Sequence, residues 1–214
     1  APTTDFGDFS GFGSASNGMN TNLRLGALVD AEFSATTNAT ATGDDTTGSD
    51  DEDGVTLPAM TAGQTLSLPM TVTNLSGSAA YLNVWIDFNN NGSFADVGEQ
   101  VATNTSIATG TNGVNQTVNF TVPATAIPGQ RGARFRFTST SSPDFTGASG
   151  TGEVEDHLLV LPHHAFQTVA DDRRHLIGVG RVVGAQRGYG AGEQLAVAVL
   201  VLQPLAGERR PAGG

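Results

Sequence analysis

The sequence predicts an all-β fold, an antiparallel β-sandwich of the jelly-roll or immunoglobulin-like kind, on three observations. Short apolar stretches alternate with polar residues at a period of two. Turns rich in Gly, Asn, Asp and Ser separate them. No helical periodicity runs through residues 55–161.

The strands are read in order. In residues 1–54 one stretch has strand character, Leu23 to Val29, with Leu23 and Leu25 on one face. A polar loop follows from Ser34 to Gly54, long enough to be either functional or disordered. Leu66 to Val72 then alternates, placing Leu66, Leu68, Met70 and Val72 on one face. Tyr81 to Phe88 sets Leu82, Val84 and Ile86 against Tyr81, Asn83 and Trp85. Val114 to Val122 runs through Val114, Val118, Phe120 and Val122, and Arg131 to Thr138 opposes Ala133, Phe135 and Phe137 to Arg134 and Arg136. Val154 to Leu161 closes the set. At Pro162 the composition changes: Asn and Ser vanish, while Arg, Gly, Val and Ala take over. Residues 1–161 are therefore expected to form the sandwich and 162–214 a separate extension. The apolar runs His175 to Val183 and Leu195 to Leu202 in that extension could pair as an added hairpin, or the second could be donated to a neighbouring sheet.

Composition excludes several functions. A chain of 214 residues with 38% hydrophobic residues can bury a core, and it has no cysteine, so disulfides, thiolate metal sites and a Cys nucleophile are all ruled out. Lysine is absent, and residues 1–161 hold 17 acids against Arg24, Arg131, Arg134 and Arg136. Phosphates would be repelled by so acidic a body, so nucleic acid is not expected as a partner. No apolar run approaches the roughly 20 residues of a membrane-spanning helix. The chain opens at Ala1 with no signal-peptide core, as a processed secreted protein would.

Cations are the natural partner of such a chain, and two regions could hold them. The first is the acid run Asp50, Asp51, Glu52 and Asp53, preceded by Asp44 and Asp45 and joined by Glu153, Glu155 and Asp156 at the start of the last strand. Glu153 and Glu155 are two apart and share a face. With few basic side chains to neutralise them, calcium with its six to eight oxygen ligands is the expected counter-ion, against the alternative of acids splayed into water. The second region is Asp87, Asn89, Asn91, Gly92, Asp96 and Glu99. It opens as D-x-N-x-N-G, the first half of a calcium loop, but Gly98 stands at position twelve, where an EF-hand needs Glu, and Glu99 comes one place late. A calcium loop and an Asx-rich turn that binds nothing both fit these residues.

Catalysis is not expected. His157, His163, His164 and His175 lie at or beyond the end of the core, with no metalloprotease spacing, nucleophile elbow or phosphate loop. Trp85 and Tyr81 read as packing residues rather than a sugar platform. Phe6, Phe9 and Phe12 read as a docking arm or as a cover for the sandwich.

Gly152-Glu153-Val154-Glu155-Asp156 resembles the signature of the GEVED domain family of bacterial secreted and surface proteins. Further resemblances occur in order: Asp5-Phe6-Gly7-Asp8, Leu25-Gly26 through Val29-Asp30-Ala31-Glu32, Asp50-Asp51-Glu52-Asp53-Gly54-Val55, Trp85-Ile86-Asp87-Phe88-Asn89 with Gly98-Glu99-Gln100, and Ala133-Arg134-Phe135-Arg136. His157 stands where the family usually has Tyr, and the stretch after Leu161 has no counterpart. The resemblance implies a β-sandwich accessory module and no catalytic residue. The resulting expectation is an extracellular structural or adhesive protein, stabilised by calcium, that associates with itself, as a fibre subunit would, or with other surface proteins. An accessory module of a larger secreted enzyme, binding carbohydrate or protein, is the competing expectation.

Overall fold

The computed structural model describes residues 1, 3–43, 51–141 and 143–162. The expectations for Asp44, Asp45, Asp50, His163, His164, His175 and the extension from 163 onward fall outside them.

Among the described residues nine strands form two sheets: β1 (Thr4–Phe6), β2 (Ala15–Gly18), β3 (Leu23–Leu25), β4 (Thr65–Asn74), β5 (Ala80–Ile86), β6 (Gln100–Ile107), β7 (Thr111–Thr121), β8 (Gly129–Thr138) and β9 (Gly147–Leu161). The larger sheet has the order β1-β2-β9-β8-β5-β6 and the smaller β3-β4-β7. The all-β sandwich is therefore as expected. One pairing departs from pure antiparallel order, because β2 runs parallel to β9. Among the described residues no helix is long and apolar enough to cross a membrane.

Period-two alternation builds the main core between the sheets. Leu68, Met70 and Val72 of β4 and Val118 and Phe120 of β7 face Leu82, Val84 and Ile86 of β5 and Phe135 and Phe137 of β8. Leu23 and Leu25 join them from the smaller sheet. Val114, expected on the buried face of its strand, is 52% exposed, near the end where β7 enters its turn.

The strand read as Leu23 to Val29 stops at Leu25. Gly26 takes φ +54, a left-handed conformation that turns the chain out of the sheet after three residues. Strands β1, β2 and β6 were not legible as alternating apolar runs. The first two are short and polar, and in β6 only Ala102 and Ile107 are buried apolar residues. In β6 a left-handed Asn104, whose N–H donates to Asn83 Oδ1 at 2.9 Å, also breaks the register with β5.

The outer face of the larger sheet is covered too. Phe9 and Phe12 from the N-terminal stretch pack on Trp85 and Phe94, with Phe145 and Leu158 alongside. Phe12 stacks on Phe94 at 4.3 Å between centroids and meets Phe9 edge-on at 4.8 Å. Of the two roles open to these phenylalanines, Phe9 and Phe12 take the covering one. Trp85 is a core residue, as its position on the strand implied. The sandwich thus carries a third layer made from its own N-terminus.

Candidate metal loop and buried acid cluster

Where β5 ends, Asp87 is held against β8 by its N–H donating to Gly132 O at 3.0 Å. Its side chain turns back into the loop that follows. Oδ1 accepts the N–H groups of Asn90 (2.6 Å) and Asn91 (3.3 Å), and Oδ2 accepts that of Gly92 (3.0 Å). Glu99, entering β6, closes the loop from the other side: its Oε1 accepts the N–H groups of Phe88 (3.1 Å) and Asn89 (3.3 Å). Asp96 Oδ2 accepts the side-chain amides of Asn89 (3.0 Å) and Asn91 (2.6 Å).

All five predicted oxygen donors of this loop, Asp87, Asn89, Asn91, Asp96 and Glu99, are therefore gathered in one turn. Phe94 anchors the turn from beneath in the outer aromatic cluster. The two amides hold the Asp96 carboxyl below its ordinary value. Glu99 is pushed the other way, first by burial and then by the charges of Asp87 and Asp96. Its second oxygen, Oε2, is buried and has no hydrogen-bond partner. Both Asp87 oxygens, Glu99 Oε1 and Asp96 Oδ2 are taken up in capping the turn, and Glu99 Oε2 is left over.

The acids of the stretch from Gly152 to Asp156 do a different job. Glu153 and Glu155 lie directly opposite Phe137 and Phe135 in the β8–β9 ladder, so they point into the space between the sheets. Both are fully buried. Leu25 N–H donates to Glu153 Oε2, and Gly54 N–H donates to Glu155 Oε1 at 2.8 Å. The neighbouring acids repeat the pattern. Asp53 Oδ1 accepts Ala27 N–H (2.9 Å), Asp51 Oδ2 accepts Asp30 N–H (2.9 Å), Glu32 Oε2 accepts Phe6 N–H (3.0 Å) and Asp5 Oδ2 accepts Val154 N–H (2.6 Å).

The physical reason is common to all of them. Segments 5–8, 25–32 and 51–54 lie against the sandwich largely outside the regular ladders, and buried N–H groups must find an acceptor. A carboxylate supplies a strong one. Gly54 is required by the same packing. A Cβ there would sit 2.5 Å from Gly26 N and 2.7 Å from Glu155 Oε1. Acid motifs more than 100 residues apart are thus parts of one cluster. Asp5, Asp8 and Glu32 belong to this network of acceptors, with Asp8 Oδ2 accepting Gly43 N–H at 2.7 Å. None of the three was read as a site residue. Their signal was the motif neighbourhood of each rather than any acid run.

Asp156 points the opposite way, to the outer face. It forms a bidentate pair with Arg134, both contacts at 2.7 Å, and also accepts Phe9 N–H at 3.0 Å. Arg134 donates further to the carbonyls of Gly13 (2.9 Å) and Phe145 (2.7 Å). Arg136 donates to Ser16 O (2.9 Å) and Asn17 Oδ1 (2.8 Å), and burial together with Arg134 lowers it to about 10. These two arginines are fully buried. They hold the N-terminal layer through its carbonyls, a role sequence reading missed although both alternate with core phenylalanines. Glu52 is half-buried and Asp53 exposed.

Among the described residues, no three His, Asp or Glu side chains are drawn together as a ready-made metal site. The electrostatics of the cluster predict a pH dependence of its own. Burial, followed by the neighbouring acids, raises the Glu153 carboxyl well above its ordinary value of 4.5, and burial also raises Glu155, against a lowering contact from His157 at 3.1 Å. A carboxyl raised on folding binds its proton more tightly in the native state. Its contribution to stability is complete below pH 4.5 and is lost as pH rises through the native value. In chelator, the urea midpoint is expected to fall as pH rises from 4.5 towards neutrality, and an unchanged midpoint would refute this.

The family model for the GEVED domain matches residues 81–160, which span β5 to β9 and include both the metal-loop candidate and the signature strand. No curated protein matches the chain. The N-terminal motifs lie outside the matched range, yet they pack on the signature strand through the carboxylates just described. Residues 81–160 of this chain are thus similar to the GEVED domain.

Proposed function

We propose that the chain is an extracellular structural or adhesive module without enzymatic activity, whose sandwich is stabilised by calcium bound in the loop from Asp87 to Glu99. The observation that supports it is the buried, unpartnered Glu99 Oε2, placed within the influence of two further carboxylates in an oxygen-rich turn. Calcium accepts many oxygens in flexible geometry, and these residues offer carboxylate and amide oxygens on a short loop with a firm aromatic base. The chemistry calcium supplies there is charge neutralisation that ties the end of β5 to the start of β6.

The structural reading draws on how the acids are used. They accept backbone N–H groups and pair with Arg134, which is architectural work. Self-association is supported by the position of β7 at the edge of the smaller sheet among the described residues, 11 residues without a charge or a proline, the kind of edge that monomeric proteins usually blunt. The accessory carbohydrate-binding reading is weakened by Trp85, whose burial removes the platform that would have favoured it.

Calcium titration by calorimetry tests the loop. Wild-type protein is expected to take up calcium with a measurable heat, and Glu99→Gln, which keeps the size and the Oε1 acceptor, is expected to weaken that uptake at least tenfold. Identical isotherms for the two proteins would refute the loop as the site.

A further inference from the structure

Among the described residues the larger sheet ends in β1 and β6 and the smaller in β3 and β7. The first three of these edges are blunted. β1 and β3 are three residues long, β1 meets Glu32 through a bridge at Thr4, and β6 loses its register near the left-handed Asn104. β7 is different. From Val114 to Thr121 it pairs with β4 in unbroken register, and its 11 residues hold no charge and no proline. The direction of its backbone groups follows from the ladder. Thr71 donates its N–H to Gly54 O and accepts Gly26 N–H on its own carbonyl, both at 2.9 Å and both on the side away from β7. Its partner Asn115 therefore turns its own N–H and C=O away from β4. Val122 N–H, at the opposite parity, donates inward to Gln64 O at 2.9 Å. Alternation then leaves Asn115, Thr117, Asn119 and Thr121 with backbone donors and acceptors along the edge and with side chains on the exposed outer face.

We propose that β7 is a homodimerisation strand, pairing antiparallel with β7 of a second copy about a two-fold axis at Val118. This names the contact for the self-association read above and rests on that reading. The register is the one that uses every outward residue: Asn115 of one copy faces Thr121 of the other, and Thr117 faces Asn119. Each of these residues then donates and accepts a backbone hydrogen bond across the axis, and the two smaller sheets run on as one. The side chains suit the contact. On the outer face Thr meets Asn throughout. On the inner face Gln116 meets Phe120, and Val114, 52% exposed in the single chain, lies across from Val122. Charge argues for a second copy as the occupant. The chain carries a net charge of −11, so two copies repel wherever their acids come together. β7 and its exposed neighbours Thr65, Ser67 and Pro69 on β4 form a strip free of ionisable groups, where that repulsion is least. The contact is isologous, so it closes as a dimer.

Sedimentation equilibrium of the full-length protein in calcium tests the pairing, for wild type, Thr117→Lys with Asn119→Lys, Thr117→Glu with Asn119→Lys, and Thr117→Pro. Wild type is expected to dimerise as its concentration rises. The double lysine variant sets like charges directly opposite each other across the axis and is expected to associate at least tenfold more weakly. The Glu–Lys variant sets opposite charges there and is expected to restore the dimer. Thr117→Pro removes an outward N–H and leaves the ladder to β4 whole, so it is expected to be a folded monomer. Should it fail to fold, the charge variants carry the test, since both positions are exposed. A wild type that stays monomeric at every concentration would overturn the dimer and give the edge to a segment of its own chain, with the calcium titration of the loop untouched. Association of the double lysine variant as strong as that of wild type would overturn β7 as the contact while self-association stood. A Glu–Lys variant as weak as the double lysine variant would overturn the register about Val118.

Discussion

Replacing Arg134 with alanine is expected to cost about 3–5 kcal/mol of folding free energy. The guanidinium is buried, and its removal leaves the Asp156 carboxylate without its bidentate partner on a face sealed by Phe9, Phe12 and Phe94. It also orphans the carbonyls of Gly13 and Phe145. The loss is mainly the cost of leaving one charge alone. Removing both charges, as Arg134→Met with Asp156→Leu, is therefore expected to be milder than Arg134→Ala alone. Urea unfolding followed by the fluorescence of Trp85, the chain's single tryptophan, measures both. A cost below about 1 kcal/mol for Arg134→Ala would place this pair in the class of surface ion pairs and contradict its structural role.

Phe12→Ala is expected to cost a similar amount, about 3–5 kcal/mol, the usual range for a large aromatic removed from a core. Phe12 stacks between Phe9 and Phe94 and presses on Gly132 so closely that a Cβ there would meet its ring at 2.7 Å. Trp85 shares this cluster, so its emission should shift to the red as water enters. If the N-terminal stretch were a free arm, Phe12→Ala would leave both stability and emission unchanged.

The fold was legible wherever one face of a strand meets the inter-sheet core. Leu68, Met70 and Val72, or Phe135 and Phe137, repeat at period two because only one side of each strand is apolar. The outer layer was harder to read because its signal is not periodic. It is made by Phe9, Phe12 and Phe94 on loops, and by arginines whose burial depends on carbonyls contributed from residues 13–17. The acid-rich motifs were visible, and Glu153 and Glu155 do share a face. Which face they share could not be read from spacing alone, since it depends on β8 bringing Phe135 and Phe137 opposite them. Nor could spacing show that each carboxylate receives a backbone N–H from a distant segment.

On the proposed function, divalent cations hold the carboxylates that converge on the loop from Asp87 to Glu99. The most direct measurement is the melting temperature in excess chelator and in millimolar calcium at neutral pH. Calcium at 100 times its dissociation constant stabilises by about 2.7 kcal/mol per site, which for a domain of this size is roughly 5–10 °C. A rise of at least that size is expected, reduced in Glu99→Gln. Superimposable melts with and without calcium would contradict it.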